Sequence, residues 1–224
     1  MNPKQMAAEH ALSFISNGMV VGLGTGTTAS YFVEALGRRL RDGQLKDIQG
    51  VPTSNSTERL ARQWEIPLTT LRLSPWLDVT VDGADEIGPG LTLIKGQGGA
   101  LLHEKIVARA TRLEIIVADQ TKVVQVLGTR SPLAVEVVPF GWPTYERALR
   151  ELPCEPELRT IDDEPFLTDE HNFIVDCHFE RIDDPAGLER ELNLIPGVVE
   201  NGLFINLAHR VFVGSPDGVI ELFA

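Results

Sequence analysis

Apolar positions along this chain alternate between short, nearly unbroken runs and longer stretches of helical spacing, with glycine and proline marking the changes. In residues 3–17, Met6, Ala7, Phe14 and Ile15 fall at helical spacing, and the pattern stops at Gly18, a residue suited to a helix end. Residues 19–23 read as a short buried strand that runs into the glycine turn GLGTGTT. A second helix is expected from Thr28, with Phe32, Val33, Leu36 and Leu40 inward and Gly43 after its end. Strand-like runs recur at 48–51, 78–81, 92–94 and 114–118, separated mostly by segments able to form helices. Such alternation predicts an α/β fold, a Rossmann-like, mostly parallel sheet with helices on its faces.

Beyond Ala134 the rhythm changes to strand, helix, strand, strand, helix, strand (AVEVV, PTYERALREL, ELRTI, NFIVDCHF, PAGLERELN, VVENGLFI). This βαββαβ order predicts a smaller α+β module of ferredoxin-like type, with Asp184-Pro185 opening its second helix. RVFVG-SPDG-VIELF then reads as a closing hairpin, and the boundary between the two parts is expected near 128–132.

Composition narrows the classes. The 224 residues are 43% apolar, enough for a sizeable core, and no apolar run approaches the ~18 residues of a membrane span. MNPKQMAAEH lacks the basic start and apolar stretch of a signal peptide, so a cytoplasmic location is expected. Cys154 and Cys177 stand far apart in sequence without metal-ligand spacing and are expected to be reduced thiols. A net charge of -12 argues against nucleic acid or an anionic membrane as partner. For an anionic ligand, attraction must then come from local lysines and backbone amides.

Three segments carry candidate chemistry. Gly24-Thr-Gly26-Thr-Thr-Ala29, between a strand and a helix, fits a dinucleotide fingerprint, a single-phosphate site built on Thr25, Thr27 and Thr28, or a plain turn capped by Thr28. The second strand ends in Pro52-Thr-Ser-Asn-Ser56 without the acid that a ribose would need, which favours the single phosphate. The DGADE segment reads as a solvated turn, as a divalent-cation site of Asp82, Asp85 and Glu86, or as proton-transfer carboxylates at the end of a parallel strand. Lys95 follows a strand and precedes Gly96, Gly98 and Gly99, which let backbone approach a ligand, and Glu104 lies early on the next helix. Lys122 lies just after a candidate cap, Asp119, where a cation is disfavoured unless an anion is near. The five histidines show no metal or catalytic spacing and read as structural or surface residues.

GLGTGTTA (22–29), PTSNSTE (52–58), DVTVDGADEI (78–87), LIKGQGGALLHEKIVA (93–108), EVVP (136–139) and IPGVVENGLF (195–204) together resemble the A-type ribose-5-phosphate isomerases. The resemblance covers nearly the whole chain, and VDGADE followed by KGxGGALxxEK is its most specific part. It implies interconversion of D-ribose 5-phosphate and D-ribulose 5-phosphate in the non-oxidative pentose phosphate pathway, with neither metal nor organic cofactor. By the same resemblance Glu104 is the base between C1 and C2, Asp82 assists ring opening and hydroxyl proton movement, Asp85 orients the sugar, and Lys95 stabilises the enediolate. Thr25, Gly26, Thr27, Thr28, Gly83, Ala84, Gly96, Gln97, Gly98 and Lys122 would form the substrate-binding set. The last segment would return to the first domain, giving domains 1–130 with 206–224, and 131–205 at the interface of a homodimer or homotetramer. Gln97 departs from the family, where many members have glycine; its backbone amide is expected to remain available. TDEHNF also replaces the usual glycine-containing hairpin turn. A noncatalytic sugar-phosphate-sensing domain is the rival reading, but the chain has no basic helix-turn-helix segment and keeps the full acid, lysine and glutamate set.

Overall fold

Asn2 opens the first helix by accepting the Lys4 amide on its side chain, with Pro3 at the first helical position, where a missing N–H costs nothing. The computed structural model describes residues 2–223. In chain order come α1 (Pro3–Ala11), β1 (Val20–Leu23), α2 (Thr27–Arg41), β2 (Gln49–Pro52), α3 (Asn55–Gln63), β3 (Leu77–Asp82), β4 (Glu86–Ile87), β5 (Leu93–Ile94), α4 (Leu101–Arg109) and β6 (Thr111–Asp119). There follow β7 (Leu133–Val137), α5 (Trp142–Leu149), β8 (Cys154–Leu158), β9 (Thr160–Ile161), β10 (Glu164–Pro165), β11 (Phe173–Phe179), α6 (Pro185–Leu192), β12 (Val198–Asn201), β13 (Leu203–Phe204), β14 (Arg210–Ser215) and β15 (Gly218–Leu222). None of the described helices is long and apolar enough to cross a membrane.

The chain divides into two compact units, residues 1–84 with 103–122 and 206–224, and residues 85–102 with 123–205. The first unit holds a six-stranded sheet of order β15-β14-β6-β3-β1-β2, parallel except for the β14-β15 hairpin. Its core joins Val21, Leu23, Phe32, Leu36, Val81, Ile115 and Phe212, and each such side chain fully removed from water contributes roughly 1.5–3 kcal/mol. Helix α1 is shorter than the apolar pattern suggested: the Ser13 hydroxyl donates to the His10 carbonyl, and a 3-10 turn replaces the last part of the helix.

The second unit contains a four-stranded antiparallel sheet of order β12-β7-β11-β8, the strand arrangement of a ferredoxin-like module. Leu133, Val135, Val137, Val175, Cys177 and Phe179 meet Leu149 of α5 and Leu192 of α6 in one core. The two cysteines lie on neighbouring strands, with Cys154 opposite Phe179 and Cys177 opposite Pro156. Both are free thiols. A hydrogen bond from Cys177 lowers the Cys154 thiol from its ordinary range, while that contact and burial push Cys177 up.

Three further sequence expectations differ from the structure. Residues 93–94 do not join the parallel sheet: β5 pairs antiparallel with β4 and with β13 in a separate three-stranded sheet. Only a short turn links β4 to β5, too little chain for a parallel crossover. That sheet draws residues 85–102 into the second unit, and 123–130 follow, so the division does not fall at 130/131. The third difference is VVENGLFI, read as one strand but broken at Gly202, whose N–H donates to the Ala134 carbonyl while its own carbonyl accepts the Lys95 amide.

Candidate active site

Parallel strands deliver their carboxyl ends to one edge, and in open α/β sheets that edge beside the point where strand order reverses is where ligands bind. In the first unit β1 lies between β2 and β3, so this point falls between the ends of β1 and β3. Asp82 ends β3 and is only 1% exposed. One of its carboxylate oxygens accepts the Thr25 amide at 3.0 Å and the Gly83 amide at 2.7 Å. The approach is close enough to require Gly24: a Cβ there would lie 2.3 Å from that oxygen and 2.5 Å from the Asp82 Cα.

The turn after β1 then starts α2. Gly26, with φ of 97°, is its N-cap and has no side chain to fold over the first amides, leaving Thr27 and Thr28 in the first turn at the positive end of the helix dipole. Thr25, expected at the phosphate, also makes contacts within the chain. Its hydroxyl is held among those of Thr53 and Ser54, both at 2.8 Å, and Thr57 at 3.0 Å, while Thr57 also donates to the Gly24 carbonyl. The PTSNST segment is thus a brace for the glycine turn.

At the end of β6, Asp119 accepts the Thr121 amide at 2.8 Å and the Thr121 hydroxyl, capping a 3-10 turn that ends at Lys122. Burial raises the Asp119 pKa, but the Thr121 bonds and the charges of Lys4 and Lys122 outweigh it and hold the carboxyl below its usual value. Lys4 was missed in the sequence. Its ammonium lies 3.3 Å from the Thr27 hydroxyl and 3.8 Å from Asp119, bringing a cation to the mouth of the glycine turn. The available signal was the one that marked Lys122, a lysine in the first turn of a helix.

Glu104 occupies the first turn of α4 and is 5% exposed. The α4 helix packs through Val107 on Val51 and Leu77, and Leu77 at the start of β3 donates to the Ala110 carbonyl beyond the helix end. Helix α4 therefore runs antiparallel to the strands, and its first turn stands at the same carboxyl edge as Asp82. His103, one residue earlier, lines a cavity of about 420 Å³ together with Val51, Ser54, Arg62, Leu71 and Ile106; neither Asp82 nor Glu104 is part of that lining.

The second unit carries the remaining candidates. Lys95 follows β5 and is 3% exposed; its amide donates to the Gly202 carbonyl, and its ammonium lies 5.4 Å from the centre of the Phe204 ring. Gly96, with φ of 112°, turns the chain into the loop 96–99, closed by a Gly99 to Gly96 hydrogen bond. Gln97 and Gly98 are exposed, but the Gln97 amide is not available as expected: it donates to Asp85 at 3.0 Å. Asp85 thereby links DGAD to KGQG. Glu86 leaves the candidate cation set, because its buried carboxylate accepts the amides of Gly128, Arg130 and Ser131 at 2.6–2.7 Å and pins that segment. Gly83 and Ala84 are half-buried between the two acids. Among the described residues no group of three or more His, Cys, Asp or Glu side chains is arranged to hold a metal ion.

Chemically, the first unit offers two buried carboxylates at the sheet edge that also holds an uncapped helix start and two lysines, and the second a buried lysine and a glycine loop tied to a carboxylate. Residues 49–218 match the family model of ribose 5-phosphate isomerase A (phosphoriboisomerase A). A ribose-5-phosphate isomerase A from Roseiflexus sp. (strain RS-1) is 50% identical over 222 residues, 99% of this chain and 95% of the relative. One from Bacillus mycoides (strain KBAB4) is 48% identical, covering 99% of each. Among solved structures, a D-ribose-5-phosphate isomerase in complex with phospho-erythronic acid superposes with a TM-score of 0.97 at 44% identity over the full length of both chains. The isomerase from Methanocaldococcus jannaschii gives 0.95 at 42% identity, over 100% of this chain and 99% of that one.

Proposed function

The chain belongs to the ribose 5-phosphate isomerase A family and is an enzyme with that isomerase activity, and from this premise we propose how its residues divide the reaction. Ribose and ribulose 5-phosphates are isomers, so a proton moves from C2 to C1 and another between the hydroxyl oxygens. The balance calls for no external oxidant or reductant.

Glu104 removes the C2 proton and returns it at C1 through an enediolate. Asp82 opens the ring and moves the hydroxyl proton, Asp85 orients the sugar, and Lys95 holds the negative charge that develops on oxygen. The first-turn amides at Thr27 and Thr28, with Gly26, Lys122 and Lys4, take the phosphate; Gly83, Ala84, Gly96, Gln97 and Gly98 line the sugar. Thr25 acts through the turn it braces. A fixed phosphate is the remote anchor that keeps C1 and C2 at the base.

The observation that carries this reading is the convergence of Asp82, Glu104, Lys122, Lys4 and the β1-α2 turn on one sheet edge. The phospho-erythronic acid held by the similar solved enzyme supports it, because a planar carboxylate spreads charge over two oxygens as an enediolate does. The same proposal places the enzyme in the cytoplasm, working without cofactor as a homodimer or homotetramer. Exposed Phe140 and Leu194 on the second unit support its use as an assembly surface.

Isomerisation in deuterium oxide tests the proton path. Deuterium from solvent should appear on carbon in the product or the recovered substrate. Complete retention of the original hydrogen together with near-parental turnover in Glu104→Gln would instead indicate a hydride shift and remove Glu104 from the base role.

A further inference from the structure

Arg159 stands where the ELRTI segment stops being a strand, after β8 and before β9. Its amide donates to the Ile174 carbonyl and its carbonyl accepts the Phe166 amide, so its main chain is fixed on both sides. The guanidinium is only 14% exposed and forms a two-pronged pair with Asp176 of β11, itself 16% exposed. The remaining direction of the fork points into the glycine loop, where Nη1 donates to the Gly96 carbonyl at 2.9 Å and to the Gln97 carbonyl at 3.2 Å. Phe166 lies under the guanidinium, 5.8 Å from ring centre to Cζ, and its ring also fills the space beside Gly99.

We propose that Arg159, locked by Asp176, is a positioning residue for catalysis: it sets the peptide planes of the KGQG loop and, through them, the places of Lys95 and Asp85. In a planar trans peptide the C=O and N–H point in opposite directions. Turning the Gly96 carbonyl to Arg159 therefore turns the Gln97 N–H the other way, where it meets Asp85. The Gln97 carbonyl bond orients the Gly98 N–H likewise. Lys95 is held from both ends, its own amide by Gly202 and the next carbonyl by Arg159. A lysine could not replace this arrangement, since one ammonium lacks the planar fork that faces a carboxylate on one side and two carbonyls on another.

The inference rests on the roles proposed above for Lys95 and Asp85, and the test separates the two. Arg159→Lys should remain folded by circular dichroism and lose about 100-fold in kcat, the order expected when a reacting group is misplaced by about an ångström. KM for ribose 5-phosphate should change less than about threefold, because the phosphate anchor lies on other elements. A role in folding alone would lower the melting temperature or the active fraction without lowering kcat per folded molecule. Asp176→Asn, which leaves Arg159 in place but unlocks it, should lose about tenfold in kcat, and it decides the question if Arg159→Lys does not fold. Lys95→Met serves as control. A crippled Lys95→Met beside wild-type kcat in the folded clamp variants overturns the clamp alone, whereas wild-type kcat in Lys95→Met overturns the roles on which the clamp depends.

Discussion

A buried glutamate in the first turn of a helix is ordinarily a dipole partner, and what distinguishes Glu104 is its position at a sheet edge that also holds Asp82. Glu104→Gln keeps the size and one acceptor oxygen but cannot accept the carbon-bound proton. Its kcat should fall by roughly 10²–10⁴, with binding of the sugar phosphate retained in a calorimetric titration. A residual rate within tenfold of the parent would assign the base elsewhere. Gly24 tests the packing side of the same site. Ala at position 24 would drive a methyl into the Asp82 main chain, so Gly24→Ala should cost about 1–3 kcal/mol in urea unfolding and reduce kcat/KM as Asp82 is displaced. The residue types at these positions were readable in sequence because VDGADE and KGxGGALxxEK are specific. Lys4 and Arg159 were not, since a lysine near a chain start and an arginine after a strand look like ordinary solvated side chains until the fold brings them to Thr27 and Gly96.

Between elements, the turn after β6 depends on Asp119, which is tied to Thr121 and lies near Lys4 on α1. Its folded pKa lies below the ordinary 3.8, so its stabilisation is fully present above that value and is lost as pH falls through the depressed one. Asp119→Asn should therefore destabilise by about 1 kcal/mol at pH 7. That difference from the parent should vanish in unfolding curves taken at successively lower pH between 5 and 2; a difference that persists at the acid end would assign the effect to shape rather than charge. Most elements were legible because their signals are local. Asn2-Pro3 starts α1 and Asp184-Pro185 starts α6, where Asp184 accepts the Gly187 amide at 2.9 Å. Strand β5 was misassigned because a two-residue apolar run has no period, and its partners β4 and β13 are fixed by tertiary pairing.

For the whole molecule, a net charge of -12 means that attraction for a sugar phosphate must come from local cations and amides rather than from the overall field. It also makes the cofactor question sharp, because clustered carboxylates invite divalent ions. Dialysis against EDTA should leave the rate unchanged; loss that is restored by added metal would overturn the cofactor-free mechanism. Sequence by itself determined the α/β class and the family and pointed to a candidate catalytic set, because these follow from periodicity, turn residues and specific motifs. The tertiary structure alone decided that Glu86 pins a loop and Thr25 braces a turn, that residues 85–102 belong with the second unit, and that Arg159 reaches the glycine loop. Hydrogen bonds between residues dozens of positions apart leave no periodic trace in the chain, and only folding reveals which polar side chains are committed to structure and which face a substrate.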